Sequence, residues 1–102
     1  MEDQANRAQA PSYTLVADRL AVLVAGREIV LTRAQFHLLW ALVSEPDRIF
    51  TRRDLVVQVF ERSVSGRTID VHVKDLRRRL EPDDTRLETV RGQGYRYRGP
   101  SR

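Results

Sequence analysis

Three observations in the sequence predict an α+β fold. Short Val-, Leu- and Ile-rich segments fill the N-terminal third, three segments with helical periodicity follow, and two alternating segments flank a glycine-rich turn near the end. The 102 residues suit one domain, and 41% apolar with 31% charged residues excludes wholesale disorder. No run approaches the roughly 18 apolar residues that a membrane-spanning helix needs. With no cysteine, disulfides, thiolate nucleophiles and zinc–sulfur sites are excluded.

Met1–Ser12 is polar, lacks an apolar secretory core and is expected to be a flexible tail or linker remnant, leaving residues 13–99 as the folded domain. The segments YTLVA, RLAVLVA and REIVL, broken at Asp18 and Gly26, read as two or three strands of an antiparallel meander, with Gly26-Arg27 at a tight turn. At Thr32 the period changes. Thr32 and Gln35 have capping-box spacing, and Phe36, Leu39, Trp40 and Val43 recur at i, i+3, i+4 and i+7, predicting a first helix with Phe36 and Trp40 in the core. That helix is expected to end before Pro46.

After an apolar link, Ile49-Phe50, the segment Thr51–Asp54 opens a short second helix with Leu55, Val56, Val59 and Phe60 on its buried side. The loop 61–66 leads to RTIDVHVKDLRRRL, a third helix over 67–80. Ile69, Val73, Leu76 and Leu80 form its inward stripe, while Arg67, Val71, Lys74 and Arg78 fall on the opposite face with Asp75 at the edge. LETVR, GQG and YRYR then predict a hairpin over 87–98, its tyrosines inward and its arginines outward. Sheet, three helices and hairpin, in that order, are the plan of a winged helix-turn-helix: the third helix fits a major groove and the hairpin, or wing, reaches toward a minor groove.

Charge agrees with that plan. Eighteen basic residues, all arginine but Lys74, outnumber fourteen acidic ones, and the arginines cluster at 77–79 and 91–98. A basic patch on a small domain points to nucleic acid first and to a membrane surface or acidic partner next. Arg67 and Thr68 open the third helix, where backbone N–H groups favour phosphate. Val71 on the outer face suits a thymine methyl, and Lys74 and Arg78 reach bases or phosphates. Arg77, off the outer face, suits a backbone phosphate or a packed flank. Asp75 either accepts from a cytosine amine or pairs with Arg78 or Arg79 along the helix, the pairing being the favoured alternative. In the wing, Thr89 is a phosphate candidate, Arg91 suits a narrow minor groove, and the Tyr95 hydroxyl is a further backbone candidate. His37 and His72 lie apart and are assigned neither metal nor catalysis. GQG lacks the strand-to-helix setting of a phosphate-binding loop. No catalytic set, metal site or cofactor is expected.

The segments LTRAQFHLLWALVSEPDRIFTRRDLVVQVF, GRTIDVHVKDLRRRLEP and LETVRGQGYRYR resemble the DNA-binding effector domain of OmpR/PhoB-type bacterial response regulators over about nine-tenths of the chain. The resemblance implies a cytoplasmic regulator that binds double-stranded promoter DNA, pairs head to tail on direct repeats, and meets RNA polymerase through the loop before the third helix. Three features depart from the pattern. Upstream of Tyr13 there is room for a linker but not for the phosphorylatable receiver; the loop ERSVSG is short; and Asp75 stands where some relatives carry a basic, base-reading residue. The competing readings are a protein-interaction module, docking polymerase or a receiver without DNA, and a nonspecific nucleic-acid binder.

Overall fold

The computed structural model describes residues 7–10, 13–60, 66–80 and 86–99. The expectations for residues 1–6, for residues 11 and 12, and for the loop at 61–65 lie outside them. A four-stranded antiparallel sheet is formed by β1 (Arg7–Ala10), β2 (Tyr13–Val16), β3 (Ala21–Val24) and β4 (Arg27–Val30), in sequence order. Three helices follow, α1 (Arg33–Ser44), α2 (Arg52–Val59) and α3 (Gly66–Leu80), and then a hairpin of β5 (Leu87–Val90) and β6 (Gly94–Tyr97). This is the α+β winged-helix plan.

Two details of the sheet differ from the sequence reading. Arg7–Ala10, placed in the tail, pairs with β2 as an edge strand, Arg7 opposite Val16 and Ala10 opposite Tyr13. Edge pairing is made by backbone groups and leaves no apolar run to read. The tight turn sits at Ala25-Gly26, one residue earlier than expected. Val24 and Arg27 face each other, and both turn residues have positive φ, 50° and 81°. A two-residue hairpin turn of this hand requires that backbone, which Gly26 adopts freely and Ala25 does not. Alternation supplies the inner face: Tyr13 and Leu15 oppose Val24 and Val22, and Val22 opposes Ile29, all five buried.

The starts of α1 and α2 are fixed by side chains. The Thr32 hydroxyl accepts from Gln35 N–H at 3.1 Å while the Gln35 amide oxygen accepts from Thr32 N–H at 3.1 Å. Thr51 and Asp54 repeat the exchange at 3.0 and 2.9 Å. Each box satisfies two backbone donors that a helix start leaves open.

α1 is the centre of the molecule, touching α2, α3, β1 and β6. Leu38, Ala41 and Leu42 are therefore buried together with Phe36, Leu39 and Val43, because partners lie on more than one side of the helix. Trp40 is a correction. It packs beside Phe36, ring centroids 5.6 Å apart, but is only half-buried at the margin of the core. In α2 only Leu55 is fully buried; Val56, Val59 and Phe60 cover the edge. Along α3, Ile69, Val73, Leu76 and Leu80 are all sealed against the body, so the opposite face is presented outward.

Candidate nucleic-acid interface

The register of that buried stripe positions the site. With Ile69 and Val73 inward, Arg67, Val71, Lys74 and Arg78 are exposed in a row along the outer face of α3, and Thr68 is half-exposed at its start. Lys74 and Arg78 make no hydrogen bond or ion pair with another described residue. Val71 is 52% exposed between these charges, an apolar side chain that the fold itself does not use. Three arginines in the last turn, Arg77–Arg79, also suit the negative end of the helix dipole.

Asp75 is half-buried beside this face and, among the described residues, pairs with neither Arg78 nor Arg79. The intrahelical pair favoured from sequence is not made. Arg79 instead donates to the Val30 carbonyl on β4, 49 positions earlier in the chain.

Arg77 turns to the hairpin. Its Nε and one terminal nitrogen donate to the Leu87 carbonyl at 3.2 and 2.9 Å, and that nitrogen also donates to the Thr89 hydroxyl at 3.0 Å. Of the two roles open to it from sequence, a packed flank is the one its contacts support. Thr89 is exposed with its hydroxyl already engaged by Arg77. Tyr95 is buried, as the alternation implied, and its hydroxyl donates to Asp70 Oδ1 at 2.6 Å. In this structure that donor is committed inside the protein.

Two residues outside the sequence-based set complete this arrangement. Arg52, first residue of α2, donates from Nε to the same Asp70 oxygen at 2.7 Å, and its guanidinium lies 5.6 Å from the Tyr95 ring centroid. Burial works to raise the Asp70 carboxyl pKa. The hydrogen bonds from Tyr95 and Arg52 and the charges of Arg52 and Arg67 outweigh it, so the pKa lies below its ordinary value. The Tyr95 phenol is shifted upward, by burial first and then by the Asp70 hydrogen bond and charge. No local periodicity flags Asp70 or Arg52, because their contact spans 18 positions.

The wing separates its arginines. Arg96 donates to Glu88 Oε1 at 2.8 Å and Arg98 lies 3.3 Å from Glu88 Oε2, so one carboxylate offsets two cations at the base. Arg91 is exposed in the turn at the tip, with no partner among the described residues. Between α3 and the hairpin, Asp70, Val73, Lys74, Arg77, Arg78 and Tyr95 line a notch of about 300 Å³. Exposed Lys74 and Arg78 of α3 therefore stand at the notch. Among the described residues no group of acidic and histidine side chains could hold a metal ion, and no helix is long and apolar enough to cross a membrane.

The family model for the C-terminal domain of transcriptional regulatory proteins matches residues 26–97, from the β3–β4 turn through the wing. The chain belongs to that family. Family members among the similar proteins include the heme response regulator HssR of Staphylococcus epidermidis, 37% identical over 95 residues, which cover 89% of this chain and 42% of HssR. The Staphylococcus aureus HssR is 39% identical over 89 residues, 83% of this chain and 40% of that one. The chain thus spans about two-fifths of the length of these relatives. Among solved structures, the DNA-binding domain of the response regulator AdeR, in complex with an intercistronic region, superposes with a TM-score of 0.81 at 28% identity, covering 90% of this chain and 99% of that one. The Klebsiella pneumoniae RstA DNA-binding domain, in complex with the RstA box, gives 0.77 at 27% identity, covering 90% of this chain and 96% of the other.

Proposed function

We propose that this domain binds double-stranded promoter DNA sequence-specifically and regulates transcription as the effector part of a bacterial response regulator. The observation that carries the reading is the outer face of α3, where Arg67, Lys74 and Arg78 are exposed around an exposed valine. A helix of about 10–12 Å diameter fits a major groove about 12 Å wide. In that groove Lys74 and Arg78 meet guanine edges or phosphates, Val71 meets a thymine methyl, and Arg67 with Thr68 holds a phosphate at the helix start. Arg91 enters the adjacent minor groove, and Thr89 lies beside the backbone. AdeR and RstA, each solved with DNA, support the reading by their similarity. Head-to-tail pairing on direct repeats, contact with RNA polymerase and a cytoplasmic location belong to the same proposal and rest on the family resemblance.

The test compares a duplex selected from a random pool with its scrambled counterpart. Selective binding by about 10³-fold or more is expected. Equal binding would make the domain a nonspecific nucleic-acid binder, and binding to neither would favour a protein-docking module.

A further inference from the structure

α3 grips both strands of the hairpin, and its contacts to hairpin side chains meet at one rung. Thr89 of β5 and Tyr95 of β6 face each other across the ladder. Arg77 donates to the Thr89 hydroxyl and to the Leu87 carbonyl, on one strand. Asp70 accepts the Tyr95 hydroxyl on the other. Asp70 and Arg77 are seven positions apart, so they project from nearly the same face of α3, about 10 Å apart along its axis. Arg52 fixes the Asp70 carboxylate from α2 at 2.7 Å. Two guanidinium groups approach the Tyr95 ring, Arg52 at 5.6 Å and Arg77 at 5.8 Å from its centroid.

From this geometry we infer that Asp70 and Arg77 are positioning residues that set the angle of the wing against the recognition helix, and with it the reach from the major-groove contacts to Arg91. The inference rests on the DNA-binding reading above. Backbone hydrogen bonds between Phe50 and Tyr95 and from Asp47 N–H to the Tyr97 carbonyl hold β6 to the body, and buried Leu87 and Tyr97 seat the base of the hairpin in the core. Beyond that base, the Arg77–Thr89 and Asp70–Tyr95 contacts tie both strands to α3. Arg91 lies two residues beyond the gripped Thr89, so its position is inherited from that rung. A flexible wing would still carry Arg91, but would lose orientation entropy on docking it.

The experiment is a double-mutant cycle read as duplex affinity. Arg91→Ala is measured in the wild-type domain, in Tyr95→Phe, which removes one hydroxyl and keeps the buried ring, and in Asp70→Asn. In the wild type the loss is expected to be about tenfold. In both other backgrounds it should fall below about threefold, because contacts sharing one network are not additive. A loss for Arg91→Ala that stays near tenfold in both backgrounds overturns the inference, whatever their melting temperatures; a purely structural role would lower stability and leave that ratio intact. Should Asp70→Asn fail to fold, Tyr95→Phe carries the comparison alone. If the wild-type domain binds no duplex, the DNA reading fails by itself and amide exchange of Tyr95→Phe tests the clamp: faster exchange confined to β5 and β6 upholds it, and unchanged exchange overturns it.

Discussion

Gly94 lies against Phe50 so closely that a Cβ at Gly94 would stand 1.9 Å from the Phe50 carbonyl oxygen. The contact adjoins the bridge in which Phe50 and Tyr95 exchange backbone hydrogen bonds at 2.8 and 2.9 Å, joining the wing to the link between α1 and α2. Gly94→Ala is therefore expected to destabilise the domain by more than about 2 kcal/mol, since backbone must move and the φ of +153° is itself unfavourable for alanine. Gly92→Ala meets nothing within 4 Å and bears only the cost of its φ of +77°. That cost is roughly 1 kcal/mol. Chemical denaturation of the two variants checks the order; equal losses would mean that the close approach is not made.

Phe36→Ala should cost about 3–5 kcal/mol, the usual penalty for a deleted buried aromatic. Trp40→Ala should cost less, about 1–3 kcal/mol, because part of the indole already faces water and less apolar area is lost. A larger loss for Trp40 than for Phe36 in urea unfolding would contradict the packing of α1.

Among the described residues Asp75 has no arginine partner, so its removal frees none of them for phosphate. Asp75→Ala is expected to relax one position of the binding motif from cytosine toward any base when sites are selected from a random duplex pool. Carboxylates near phosphate also repel wrong sites, so selectivity should fall more than affinity. An unchanged motif would remove Asp75 from base readout.

Acid should weaken the Asp70 cluster. Its folded pKa is depressed below the ordinary 3.8, so its contribution to stability is present above that value and is lost as pH falls through the folded pKa. The stability difference between wild type and Asp70→Asn should hold constant from near neutrality down to about pH 5 and shrink below about pH 4. With the Asp70 side chain 40% exposed, solvent screening keeps that difference small. A difference that grows on acidification would reverse the assigned sign.

Most of the fold was legible because each element carries its own local signal. Thr32 and Thr51 announce helix starts, the spacing of Ile69, Val73, Leu76 and Leu80 fixes the rotation of α3, and Gly92 with alternating Tyr95 and Tyr97 marks the hairpin. The outer face of α3 follows from that rotation alone. Contacts between distant elements carry no such signal. Asp70 meets Arg52 and Tyr95 across 18 and 25 positions, and Arg79 meets Val30 across 49. The same blindness made Trp40 look central, since periodicity gives the direction a side chain faces and not the depth of the partner it meets.

The central claim, that the outer face of α3 and the wing tip neutralise DNA phosphates, is tested most directly by the salt dependence of duplex binding. If Arg67, Lys74, Arg78 and Arg91 each displace a counterion, log affinity falls against log salt with a slope of about −4. Lys74→Ala should flatten the slope by about one if that residue holds a phosphate. A slope near zero in the wild-type domain, or one left unchanged by removing both Lys74 and Arg91, would contradict the account.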